Sequence, residues 1–238
     1  MLEIGPAHHP AVNLHGGGFA LMDPLIDDRH NSYFCHTHSI VVISLEYYKA
    51  PTHRFPIAVN ALTDLVLSIL SDDSLPIDRS KVVIGGTSAG ATLALAISQD
   101  DRLQGSIHGA ICLCPVLDFT CDEQRAQDYE TLKARKGGNV LPLDGVRGLS
   151  ACYVNAGQDL TDPRVSPAFA DRRDLPAKLC VVGCELDGLC GEAERWARGL
   201  VGGKVGEGNG WEVEGVRWEK VIGEEHGKFF VLSPGCEV

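Results

Sequence analysis

The segment Lys81-Val82-Val83-Ile84-Gly85-Gly86-Thr87-Ser88-Ala89-Gly90-Ala91-Thr92-Leu93-Ala94-Leu95-Ala96-Ile97 joins an apolar β-branched run to an Ala/Leu run through a G-x-S-x-G turn. Residues 81–84 read as a buried strand and residues 91–97 as a buried helix. Gly86 and Gly90 flank Ser88, two positions to either side. A serine in so tight a strand-to-helix turn takes strained dihedrals, and side chains at the two glycine places would collide with neighbouring backbone. The helix N-terminus beginning there favours negative charge developing beside Ser88. A phosphate-cradling loop also uses a Gly-rich strand-to-helix turn, but no Lys-Ser/Thr follows Gly90.

Outward from this turn the pattern repeats. Residues 11–14 end a short strand that runs into His15-Gly16-Gly17-Gly18-Phe19, and residues 40–45 read as a buried strand. A helix follows Pro56, with Ile57, Ala58, Ala61, Leu62, Leu65, Val66 and Ile69 at helical spacing. Residues 111–117 and 179–182 supply two more strands. This alternation predicts an α/β chain with a mostly parallel sheet covered by helices on both faces. Residues 120–175 form a long polar stretch with helices expected around 123–134 and 146–155, on either side of Gly137-Gly138. It reads as a crossover or as a lid inserted over a site. Residues 201–210 are Gly-rich and read as a connection or hairpin tip.

Composition bounds the partners. The chain has 238 residues, 44% of them hydrophobic, which suits one domain with a sizeable core. Its net charge of −11 and lack of a basic patch argue against a nucleic-acid partner. No apolar run approaches the roughly 18 residues of a membrane span. Met1-Leu2-Glu3-Ile4-Gly5-Pro6 has neither a basic nor an apolar leader region, so a cytoplasmic location is expected. The nine cysteines show no metal-ligand spacing, and Cys112, Cys114, Cys180 and Cys184 lie in apolar segments as small reduced core residues. No metal and no organic cofactor are expected.

The chemistry-bearing residues fall in a telling order. The glycines of His15-Gly16-Gly17-Gly18 let backbone N–H groups approach an oxyanion, and two of them with the N–H of Ala89 would form a three-pronged hole. His15 reads as a hydrogen bonder that orients this loop. Of nine histidines only His108 and His226 follow Ser88. His108 opens a strand and reads as an edge or core residue. His226 lies in a loop after an apolar stretch, where a base is expected. Asp187 and Glu185, both directly after the strand at 179–182, are rival acids on position alone.

Taken together the sequence resembles the hormone-sensitive-lipase-like branch of the α/β hydrolases, the GDXG lipolytic enzymes. The resemblance runs from Ala11 to about Phe230. It rests on His15-Gly16-Gly17-Gly18-Phe19, Tyr48-Lys49-Ala50-Pro51 with Phe55-Pro56, and Gly86-Thr87-Ser88-Ala89-Gly90. Asp162-Pro163-Arg164-Val165-Ser166-Pro167, Asp187-Gly188-Leu189 and His226-Gly227 continue it. The resemblance implies an α/β-hydrolase fold in a single domain, residues 1–238, with residues 119–176 as a partial helical cap. It implies Ser88 as nucleophile, Asp187 rather than Glu185 as acid, His226 as base, and Gly17, Gly18 and Ala89 as oxyanion donors.

The expected reaction is hydrolysis of a short or medium acyl ester, or of a small-metabolite ester, through an acyl-enzyme. An amidase, thioesterase or deacetylase of a specific metabolite would use the same triad. A non-catalytic small-molecule binder is the other alternative, because the family includes plant hormone receptors that lack a working triad. Thr87 stands where the family usually has an acidic residue, and Lys49 and Thr52 replace its usual Arg and Glu. These read as tolerated changes in a buried network. Only 14 residues precede His15 and 12 follow His226. An exposed sheet edge and an uncovered apolar face are therefore expected, met by a homodimer or by a chain shortened at both ends.

Overall fold

The computed structural model describes residues 8–136, 142–203 and 205–228. The N-terminal hexapeptide, Gly137-Gly138 and residues 229–238 lie outside the described residues. In chain order the elements are β1 (Pro10–Leu14), α1 (Asp28–His38), β2 (Val41–Leu45), α2 (Ile57–Ser71), β3 (Val82–Thr87) and α3 (Ala89–Ser98). There follow β4 (Ile107–Leu113), α4 (Asp122–Lys136), α5 (Leu143–Tyr153), β5 (Lys178–Cys184), α6 (Cys190–Leu200), β6 (Gly210–Val213) and β7 (Val216–Val221). The strands form a seven-stranded sheet in the order β2-β1-β3-β4-β5-β7-β6. Every neighbouring pair is parallel except the β6–β7 hairpin. The α/β reading of the sequence therefore holds.

Register explains where the main core of this sheet lies. Val12, Ile84, Ala110, Leu179 and Val216 align across five strands, and all five are buried. Two residues further along, Leu45, Leu14, Gly86, Cys112, Val181 and Trp218 make a second row. Side chains two apart on a strand share a face. Helices α2, α3 and α6 bury Leu62, Leu93 and Trp196 in the same cluster as these rows. Gly86 interrupts the second row where α3 begins, so the helix approaches the strands at a point without a side chain. All ten residues of α3 are buried, as its Ala/Leu composition requires.

Three local expectations need correction. Strand β2 is half-buried, with only Leu45 fully buried, because it pairs on one side with β1 alone among the described residues. The strand expected at 111–117 is β4, which begins at Ile107 and stops at Leu113; Cys114 turns the chain away with φ of 47°. His108 is neither a core nor an edge residue. The register of β3 against β4 jumps from Val82↔Ile107 to Val83↔Gly109, which leaves His108 as the extra residue of a bulge, with its side chain exposed.

The segment between β4 and β5 carries α4 and α5, close to the two helices expected there. A buried ion pair ties α4 to α6. Arg125 Nη2 donates to Glu192 Oε2 at 2.8 Å and to the Asp118 carbonyl at 2.5 Å. Glu192 Oε1 accepts from the N–H groups of Leu117 and Asp118 at 2.6 and 2.8 Å. Both side chains are about 95% buried, so either charge left alone would be costly. Glu192→Ala is expected to destabilise the protein by about 3–5 kcal/mol. In a thermal melt that is a drop of roughly 10 °C or more. The paired change Arg125→Met with Glu192→Leu should restore much of it; equal losses in the single and double variants would refute the argument.

Candidate active site

The elbow at Ser88 is built by the glycines around it. Ser88 has φ of 54° and ψ of −118°, a region costly for a residue with a side chain. A Cβ on Gly86 would lie 2.2 Å from the Leu14 carbonyl oxygen, and one on Gly90 would lie 2.0 Å from the same atom. Both places admit only glycine, so the packing of β1 against the β3–α3 turn holds the strained serine in position. The Ser88 N–H donates to the Leu113 carbonyl at 2.7 Å, and Thr92 Oγ1 donates to the Val116 carbonyl at 2.6 Å. These two bonds fix the elbow to the end of β4.

The loop after β1 comes beside this elbow. Gly17 has φ of 116° and Gly18 has φ of 60°. A Cβ on Gly17 would meet the Leu21 carbonyl oxygen at 2.2 Å, and one on Gly18 would meet Leu149 Cδ1 of α5 at 2.4 Å. Among the described residues, the N–H groups of Gly17, Gly18 and Ala89 donate to no other group of the chain. Unengaged N–H groups at a helix N-terminus and a glycine loop are suited to an anion.

His15 is fully buried and is held from both sides. Its Nδ1 lies 2.6 Å from the Gly16 carbonyl and its Nε2 lies 3.0 Å from Glu46 Oε1. Its ring stacks on Tyr47 at 4.3 Å, and the Tyr47 hydroxyl donates to the carbonyls of His15 and Gly16. The same Glu46 oxygen accepts from the Tyr47 N–H and from Lys49. Burial alone would raise the Glu46 carboxyl, but the bonds from Lys49, His15 and the Tyr47 N–H hold it below the usual range. Lys49 thus pairs with a half-exposed Glu46, and the network of the Tyr-Lys-Ala-Pro segment is not wholly buried.

A carboxylate–imidazole pair forms where the loops after β5 and β7 meet. The Leu186 N–H donates to the Glu224 carbonyl at 2.8 Å, which joins the loops. Asp187 is buried; its Oδ1 accepts from the Leu189 N–H at 3.0 Å and its Oδ2 lies 2.7 Å from His226 Nδ1. Glu185 takes a different place, accepting from the Gly223 N–H at 2.9 Å. Burial alone would lower the His226 imidazole, but the charge and hydrogen bond of Asp187 raise it above its ordinary value. Ser88 and the pair occupy the same C-terminal edge of the sheet. Among the described residues no hydrogen bond joins the Ser88 hydroxyl to the His226 ring; such contacts tighten in substrate complexes.

Helices α4 and α5 border this edge. Tyr153 of α5 stacks on Phe19 at 3.9 Å, and Arg54 donates to the Ala151 and Val154 carbonyls at the end of α5. The ring of Tyr129 in α4 packs on Gly188, where a Cβ would meet its Cε2 at 2.1 Å. Glu46, Tyr47, Tyr129 and Glu192 stand in no catalytic motif of the sequence. Only Glu192 left a signal there: it falls on the apolar stripe of α6, four residues before Trp196, where an unpaired carboxylate is not tolerated. Cys114 was read as a small core residue. It is buried, yet its sulfur also lies against Asp187 and His226.

Comparison with known proteins agrees with this fold. A family model described as alpha/beta hydrolase fold matches residues 11–226. An acetyl-hydrolase of Streptomyces hygroscopicus is 32% identical over 174 residues, covering 72% of this chain and 55% of the relative. An esterase of Acinetobacter venetianus is 30% identical over 173 residues, covering 72% and 54%. The chain thus spans little more than half the length of these relatives. The solved structure of an esterase of Pyrobaculum calidifontis superposes with a TM-score of 0.78 at 27% identity, covering 94% of this chain and 69% of that one. Among the described residues no helix is long and apolar enough to cross a membrane.

Proposed function

The chain belongs to the alpha/beta hydrolase fold family, and from that premise we propose that it hydrolyses carboxylic esters through a covalent acyl-enzyme on Ser88. The observation that carries this reading is the buried Asp187 carboxylate at 2.7 Å from His226 Nδ1, on the sheet edge that also holds the strained Ser88. His226 Nε2 takes the Ser88 proton as Oγ attacks the ester carbonyl, and Asp187 holds the other nitrogen protonated and stabilises the charged ring. The N–H groups of Gly17, Gly18 and Ala89 receive the oxyanion, each worth about 10²–10³ in rate. His226 then protonates the leaving alcohol, and water releases the acyl group by the same steps in reverse order of roles. The segment 119–176 serves as the cap, with α5 against the oxyanion loop.

Two observations favour a short acyl group. Leu149 lies directly over Gly18 and narrows the space beside the proposed hole. A relative named acetyl-hydrolase is consistent with this size. With p-nitrophenyl esters, kcat/KM should be highest for acetate or butyrate and fall at least about tenfold by octanoate, as a pocket that cannot seat the added methylenes requires. A folded protein that turns over none of these esters would count against the reading, and a preference for octanoate would count against the short acyl site.

A further inference from the structure

The described residues hold one group of three side chains that could chelate a metal ion and that the proposed hydrolysis does not wholly use. Cys114 Sγ, a carboxylate oxygen of Asp187 and a ring nitrogen of His226 all lie within 4.8 Å of one another. We propose that these three side chains form an inhibitory site for a thiophilic divalent cation such as Zn²⁺. The three ligands are brought together from the turn after β4, the loop after β5 and the loop after β7.

The donor set suits the ion. Sulfur, imidazole nitrogen and carboxylate oxygen are the three ligand types of protein-bound zinc, at about 2.3, 2.0–2.1 and 2.0–2.2 Å. Those lengths put tetrahedral ligands roughly 3.3–3.8 Å apart. The present 2.7 Å contact between Asp187 Oδ2 and His226 Nδ1 must therefore open by about 0.6–1 Å, and a fourth position is left for water. Charge also balances, since a thiolate and a carboxylate neutralise the ion in a place where net charge is costly. Asp187 and Cys114 are nearly inaccessible, whereas the His226 side chain is 18% exposed, which gives the ion its approach. Around the sulfur, the nearby Gly227 backbone favours its anionic form. Cys184 Sγ lies 3.4 Å from Cys114 Sγ and accepts a hydrogen bond from its thiol.

Binding and inhibition follow from one proton count. Without the ion, the Cys184 contact and burial, with Asp187 nearby, push the Cys114 thiol well above its ordinary value, so it enters as the neutral thiol. Above the raised pKa that Asp187 gives it, His226 enters neutral, with its proton on Nδ1 facing Asp187. Zn²⁺ takes the thiolate, the carboxylate and the Nδ1 lone pair; the thiol proton goes to solvent and the ring proton moves from Nδ1 to Nε2. One proton is released for each ion bound, and nothing is oxidised or reduced. An imidazole protonated at Nε2 cannot accept the Ser88 proton, so the ion stops acylation. The inhibition rests on the serine-hydrolase reading, but the coordination does not.

The test uses Cd²⁺ alone and Zn²⁺ alone on the full chain. Cd²⁺ should give an ultraviolet thiolate-to-metal charge-transfer band that Cys114→Ser and Cys114→Ala both lose, while Cys184→Ser keeps it. Zn²⁺ should bind at least about tenfold more weakly to the Cys114 variants. Its affinity for the wild type should fall at least about tenfold for each unit of pH lowered near neutrality. Ester hydrolysis should be inhibited by Zn²⁺ and restored by a chelator, with each variant referred to its own uninhibited rate. Circular dichroism establishes that the variants are folded. A band and an inhibition unchanged in both Cys114 variants, or lost equally in Cys184→Ser, would overturn the proposal. If the Cys114-dependent band is present but Ser88 fails to react with a fluorophosphonate, the metal site stands and the hydrolase reading falls. If Ser88 reacts but Cys114-dependent binding is absent, the reverse holds.

Discussion

Ser88→Ala is expected to lower kcat/KM for p-nitrophenyl acetate by about 10⁴–10⁶, leaving only the modest catalysis that an oxyanion hole and binding provide. The effect is large because the attacking hydroxyl itself is removed. Ser88 sits in a conformation maintained by two glycines packed against the Leu14 carbonyl. Alanine keeps the backbone hydrogen bond from position 88 to Leu113, since that bond is made by the main chain. The variant should therefore melt within about 1 kcal/mol of the wild type, as substitutions that disturb no packing usually do. Loss of activity with unchanged stability separates a chemical role from a structural one.

The second large effect is at Asp187. Asp187→Asn should reduce kcat by roughly 10⁴, because an amide can hold the ring in the wrong tautomer and cannot stabilise its charged form. Glu185→Gln should stay within a factor of about 3, because Glu185 bonds the Gly223 N–H and not the imidazole. The pH profile adds a second readout. Asp187 holds the folded-state imidazole above its usual pKa. The base form, and with it kcat/KM, should therefore be lost as pH falls through a value above 6.5. Removing the carboxylate charge leaves burial as the dominant influence, so the residual activity of Asp187→Asn should have its acidic limb at lower pH. Equal losses in the Asp187 and Glu185 variants would show that the acid has been misassigned.

Much of this could be read from the chain because the determining features are local. The G-x-S-x-G turn, the glycine loop and the apolar strands each depend on residues a few positions apart, and the alternation of strand and helix orders the sheet. The bulge at His108 escaped because it is set by pairing with Val82 and Val83 on another strand. The partial exposure of β2 is decided by its place at the sheet edge, which its composition does not encode. Position alone left Asp187 and Glu185 as rivals; the fold separates them by turning Asp187 towards His226, 39 residues away in sequence. Cys114 looked like any core cysteine. Only the meeting of three loops places its sulfur against Asp187 and His226.

The central claim is that Ser88 is an activated nucleophile, and its most direct test is reaction with a fluorophosphonate followed by peptide mass spectrometry. Activation by His226 and capture of the charged oxygen by Gly17, Gly18 and Ala89 predict one phosphonyl group per chain, carried on the peptide containing Ser88. Prior mixing with a hydrolysable short acyl ester should slow the labelling. A protein shown by circular dichroism to be folded that takes up no label, or carries it on another residue, would contradict the account.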